Sequence, residues 1–250
     1  MRRLILGSLL LMAGLARLLA LDATGVTRWE AELAPAMMAT EPTVLEGLQR
    51  DLAARLAGSP GDAGISTELG IVYHTMGRIQ GGKKGYATQA AELLQKVADG
   101  PAPEELKVFA LPYLGSALCL EARDSANPIA TMDLLNKGLA RLDAAVSRYG
   151  TASYIPRFLR ANVTLALPVF FKQLDKGGSD LQALEAWTAR DPGLMAPHLL
   201  SQIENLLGNY YKKKNQVDKA IAAWKRAVAL DPEGKEGGRE AAKSLATYAG

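Results

Sequence analysis

The stretch 201–234, SQIENLLGNYYKKKNQVDKAIAAWKRAVALDPEG, constrains the fold more than any other part of the chain. Small residues at Gly208 and Ala220 stand where two antiparallel helices would approach closely. Bulky Tyr211 and Trp224 stand beside them to fill the space, and Pro232 stops the second helix. Leu207 and Ala227 extend the same apolar face at helical spacing. A lone helix hairpin cannot bury its apolar face, so this unit predicts similar hairpins stacked upon it.

The same grammar recurs upstream in weaker form. Leu69, Gly70 and Tyr73 are followed, after an enlarged loop over 80–85, by Ala90, Leu94 and Val97. Leu114 and Gly115 precede Gly138, Leu142 and Ala145, on a helix that Asn127 and Pro128 start. An apolar helix over 155–174 pairs with a helix carrying Ala183 and Trp187. Ahead of these, 43–57 places Val44, Leu45, Leu48, Leu52 and Leu56 at helical spacing before a stop at Gly58. Residues 29–38 suggest one more helix, which Pro35 disfavours. After the last hairpin, 236–249 reads as a capping helix with Ala241, Ala242, Leu245 and Ala246 inward. Alternation of the kind a half-buried strand needs is sustained nowhere. The predicted fold is therefore all-α: helix hairpins stacked as a solenoid over 43–250, with longer, divergent central helices, behind an amino-terminal segment 21–42.

Leu207, Gly208, Tyr211, Ala220, Trp224, Ala227 and Pro232 also fall where a tetratricopeptide repeat places its signature residues, with Glu204 in place of the opening Trp. The segment thus resembles the tetratricopeptide-repeat family over about one seventh of the chain. The resemblance implies stacked helix pairs with a concave groove for another polypeptide. The layout of the remainder is loosely similar to exported bacterial repeat proteins. Some of those accompany envelope transport systems, including those of tripartite carboxylate uptake and sterol traffic.

The amino terminus points to the same compartment. Arg2 and Arg3 precede an apolar run over 4–16, and Leu18-Leu19-Ala20 offers a processing site, so 1–20 reads as a secretory signal and the location as periplasmic. The run falls short of the ~18–20 residues a spanning helix needs, which leaves an uncleaved anchor as the alternative and the only expected membrane contact. Without 1–20, the chain's 29 basic and 26 acidic residues become 26 of each. A formally neutral body gives no reason to expect nucleic acid, and Lys212-Lys213-Lys214 reads as complementing a helix end. Cys119, the single cysteine, reads as a small buried hydrophobe.

No catalytic or metal constellation is legible. His74 and His198 are the only histidines and have no ligand-type neighbours at metal-binding spacing. The run Gly81-Gly82-Lys83-Lys84-Gly85 lacks the spacing of a phosphate loop, and no serine sits in a nucleophile elbow, so neither a cofactor nor an enzyme activity is expected. Two segments, 107–120 and 156–171, are apolar nearly all round, and each carries Ala-Leu-Pro, at Pro112 and Pro168. Proline inside a helix frees a carbonyl and bends the axis. Bent central helices pack imperfectly, which suggests an apolar cavity lined by Phe109, Pro112, Tyr113, Phe158, Leu167, Phe170 and Phe171. The function these readings favour is a scaffold that docks a protein or peptide partner in the envelope; the alternative is a carrier that encloses a lipid or sterol between the central helices.

Overall fold

The computed structural model describes residues 21–191, 193, 195–235 and 237–248; the signal-like segment 1–20 lies outside them. Among the described residues there are eleven α-helices and no strand. They are α1 (Ala23–Met38), α2 (Pro42–Gly58), α3 (Ala63–Gln80), α4 (Tyr86–Asp99), α5 (Glu104–Asp124), α6 (Pro128–Tyr149), α7 (Ile155–Ala166), α8 (Leu174–Arg190), α9 (Pro197–Lys213), α10 (Val217–Leu230) and α11 (Gly237–Ala246). Short 3₁₀ turns occupy Gly81–Lys84 and Val169–Phe171.

From α2 onward each helix packs on the next, and the odd-numbered helices also pack on one another in sequence, α1 on α3, α3 on α5, α5 on α7, α7 on α9 and α9 on α11. That is the arrangement of a helical solenoid, with the odd-numbered helices forming one continuous layer. The helix starts follow local chemistry. Asp22, Asp62 and Asn127 accept backbone N–H groups at the first turns of α1, α3 and α6, and Pro42, Pro128 and Pro197 occupy first helical positions.

Close crossings recur at glycine in hairpin after hairpin. A Cβ at Gly70 would meet the Leu94 side chain at 2.7 Å, and one at Gly115 would meet Leu142 at 2.8 Å. At Gly177 it would strike the Thr164 hydroxyl at 2.6 Å, and at Gly208 it would fall inside the indole of Trp224. Gly138 lies against Cys119, whose thiol burial pushes up to about 12. The apolar core runs through three contiguous clusters, with Phe158 and Tyr154 touching the first and second and Tyr211 the second and third. Val26, Leu33 and Ala36 bring α1 into the first cluster, where the helix runs through Pro35.

Several details depart from the sequence reading. The segment 156–171 is no single bent helix: α7 ends at Ala166, because Pro168 disfavours the helical conformation at Leu167, which is extended at φ −70°, ψ 147°. Nor is α7 apolar all round, since Arg157 and Arg160 lie on it and carry ion pairs. By contrast α5 continues through Pro112 and is buried almost continuously from Leu106 to Ala117. Val44 is exposed, as are Ala242 and Ala246, whereas Ala241 is fully buried. The lysines at 212–214 do not simply end their own helix: Lys213 Nζ donates to the carbonyls of Leu165 and Leu167 and so caps α7, while Lys214 pairs with Asp175 at 2.9 Å.

An ion-pair network ties α6, α7 and α8 together. The Asp180 carboxylate, fully buried, receives Arg157 Nη1 at 3.1 Å, Arg160 Nε at 2.7 Å and Arg160 Nη2 at 2.8 Å. Arg160 Nη1 also reaches Asp143 at 2.9 Å, and Lys176 bonds the other oxygen of Asp143.

Candidate binding cleft

The main cleft is about 320 Å³ and is lined from the odd-numbered layer. Glu30, Ala34, Met37 and Met38 come from α1, His74 and Arg78 from α3, Tyr113 and Ser116 from α5. Ile155, Phe158, Leu159 and Asn162 come from α7, and His198, Leu199 and Gln202 from α9. On each helix these positions recur three or four residues apart, which is one helical face. The stacking that makes the solenoid therefore also assembles the lining.

Of the residues read from sequence as cavity-lining, Tyr113 and Phe158 face this cleft. Phe109 and Pro112 are buried in the first core cluster and the interior of α5 instead. Leu167 and Phe171 are partly exposed beyond the end of α7, and Phe170 is 75% exposed. The structure thus does not gather the seven into one apolar cavity. Pro168 is the physical reason, since it turns the chain outward before the two phenylalanines.

The polar part of the cleft was not legible as a site. His74 and His198, 124 positions apart in sequence, both line it. His74 is buried, and its Nε2 lies 2.8 Å from Ser116 Oγ while its Nδ1 has no hydrogen-bond partner among the described residues. The Tyr113 ring meets His74 edge-on at 5.1 Å, and the Tyr113 hydroxyl likewise has no partner there. Arg78 has no ion-pair partner among the described residues. The Glu30 carboxyl is raised by burial although the Tyr154 hydroxyl bonds it. A signal existed: His74 and Ser116 are polar residues on otherwise apolar, buried helix faces, a placement that asks for a partner.

Burial, helped by the positive charges of Arg78 and Arg123, lowers the His74 pKa from 6.5 to about 3. The ring is therefore neutral at physiological pH. With the ring neutral, the His74–Ser116 contact is a hydrogen bond between two uncharged groups, and no carboxylate among the described residues bonds Nδ1. Among the described residues no group of three His, Cys, Asp or Glu side chains could hold a metal.

The same shift makes a stability prediction. The unfolded histidine binds a proton near pH 6.5 and the folded one only near 3, so stability is complete above pH 6.5 and is lost as pH falls towards 3. Between pH 6.5 and roughly 5 the loss is about 2 kcal/mol, ahead of most carboxylate titration. Urea unfolding of the parent and of His74→Phe across that interval checks it, with the variant expected to show a flatter profile.

No protein-family model, no curated protein and no solved structure matches this chain.

Proposed function

We propose that this chain is a non-enzymatic binding protein of the envelope, and that its helical array holds one small amphipathic molecule in the cleft lined by the odd-numbered layer. The observation that carries this reading is the Tyr113 hydroxyl, without a hydrogen-bond partner among the described residues, beside the His74–Ser116 pair on a cleft otherwise walled by Met37, Phe158 and Leu199. A hydroxyl in an otherwise apolar cleft gives a bound molecule one hydrogen-bond anchor, worth about 1 kcal/mol. The Tyr113 hydroxyl can donate to or accept from a ligand hydroxyl, and the surrounding wall suits an apolar body. A hydroxyl-bearing lipid or sterol has both parts. The run at 4–16 after Arg2 and Arg3 supports export, and no described helix is long and apolar enough to cross a membrane.

The second reading, a scaffold docking a polypeptide, keeps one observation in its favour: the cleft lies along the layer that a repeat array resembling tetratricopeptide proteins would present to a peptide. Titration of the full chain with a fluorescent sterol, and with a long-chain alcohol as competitor, separates the two. Saturable binding is expected, weakened about fivefold to tenfold in Tyr113→Phe with the melting temperature unchanged, as befits loss of one hydrogen bond. Absence of saturable binding by both probes would favour the scaffold.

A further inference from the structure

The turn after α7 carries a feature that neither the cleft nor the core uses. Val169 and Phe170 are 61% and 75% exposed on consecutive positions, and Phe171 packs on Phe170 with ring centroids 4.5 Å apart. Lys172 closes the 3₁₀ turn in the left-handed conformation at φ 56°, and its ammonium has no partner among the described residues. The end of α9 adjoins this turn: Lys213 Nζ is 3.2 Å from the Leu167 carbonyl and Lys214 pairs with Asp175, whereas Lys212 lies over the Tyr248 ring. Lys176 lies one helical turn further along α8. Basic charge therefore exceeds acidic beside the apolar tip: Lys172 is unpaired among the described residues, Lys213 caps α7, Lys214 pairs with Asp175 and Lys176 pairs with Asp143.

We propose that this turn is a contact point for an anionic lipid surface, with Val169 and Phe170 entering the interface and the lysines meeting lipid phosphates. Two features favour a bilayer over a polypeptide. A three-residue turn with its apolar side chains projecting offers no groove for a peptide side chain to fill. An apolar tip followed directly by the unpaired Lys172, with Lys213 and Lys214 adjoining, matches the layered polarity of a headgroup region, and each lysine near such a surface adds about fivefold to binding. The contact is separate from the amino-terminal apolar run and independent of what occupies the cleft.

The test uses the full chain, so the readout must report on the turn itself. In Phe170→Trp, vesicles of phosphatidylcholine and phosphatidylglycerol with brominated acyl chains are expected to quench fluorescence beyond that of the parent, whose Trp29, Trp187 and Trp224 supply the background. Pure phosphatidylcholine vesicles should quench far less, and added salt should weaken the effect. Adding Lys172→Glu should reduce vesicle affinity at least fivefold, and Phe170→Ser should reduce it about tenfold or more in sedimentation. Because both positions are exposed, circular dichroism should be unchanged. Vesicle-bound protein with no quenching at position 170 would overturn the proposal by showing attachment through another region. Equal quenching by neutral and anionic vesicles would overturn the lysine contribution, and failure to bind anionic vesicles would leave the tip as a protein contact and refute the lipid one.

Discussion

Asp180→Ala is expected to lower stability by about 3–5 kcal/mol, the cost of removing one partner from a buried ion pair. Asp180 is fully buried and pairs with two guanidinium groups whose side chains are only 23% and 14% exposed. Once it is gone, Arg157 keeps only the Gly150 carbonyl, and Arg160 keeps Asp143, which is 43% exposed. Asp143→Ala is the matched control, since it deletes a carboxylate bonded to the same arginine from the solvated side. It should cost under about 1 kcal/mol. For a chain of this size, Asp180→Ala should depress the melting temperature by roughly 6–20 °C. Similar effects of the two substitutions would mean that water enters the network and that burial does not set its strength.

The second large effect concerns Trp224, which is fully buried and the bulkiest such side chain among the described residues. Trp224→Ala should cost about 3–5 kcal/mol through lost transfer energy and the cavity left behind. Its neighbour Gly208 supplies a sharper test because two principles predict opposite signs. On an exposed helix Gly→Ala stabilises by about 1 kcal/mol. Here a Cβ would fall inside the indole ring, so Gly208→Ala should destabilise by about 1–3 kcal/mol. In the double variant the added methyl enters the space the indole vacates, and the combined loss should be smaller than the sum. Chemical denaturation of the four proteins gives the coupling directly. A stabilising or additive Gly208→Ala would show that α9 and α10 do not cross as described.

These two cases mark what the chain discloses before folding. The Gly208, Ala220 and Trp224 triad is legible because its members lie within one hairpin, at spacings that helix geometry alone dictates. The crossings at Gly70 and Gly115 follow the same rule, as does the start of α6 at Asn127 and Pro128. Asp180 was not legible, since its partners lie 20 and 23 positions upstream on another helix. The cleft divides in the same way. Tyr113 and Phe158 were accessible as aromatics on helices near the centre, but Glu30, His74 and His198 meet only through the stacking of α1, α3 and α9. Composition treats each of the three as an isolated polar residue. Phe170 and Phe171 misled for a local reason, because an apolar run does not reveal that its proline ends the helix rather than bending it.

The most direct test of a ligand-holding cleft is native mass spectrometry of the full chain purified gently from its own source, followed by organic extraction and denaturing analysis. The account predicts one hydroxyl-bearing apolar molecule per chain, retained in the native spectrum, released on extraction, and held less well by Tyr113→Phe. A chain that arrives empty in the native spectrum and yields no stoichiometric extract would contradict it, and the cleft would then have to be explained as a polypeptide groove.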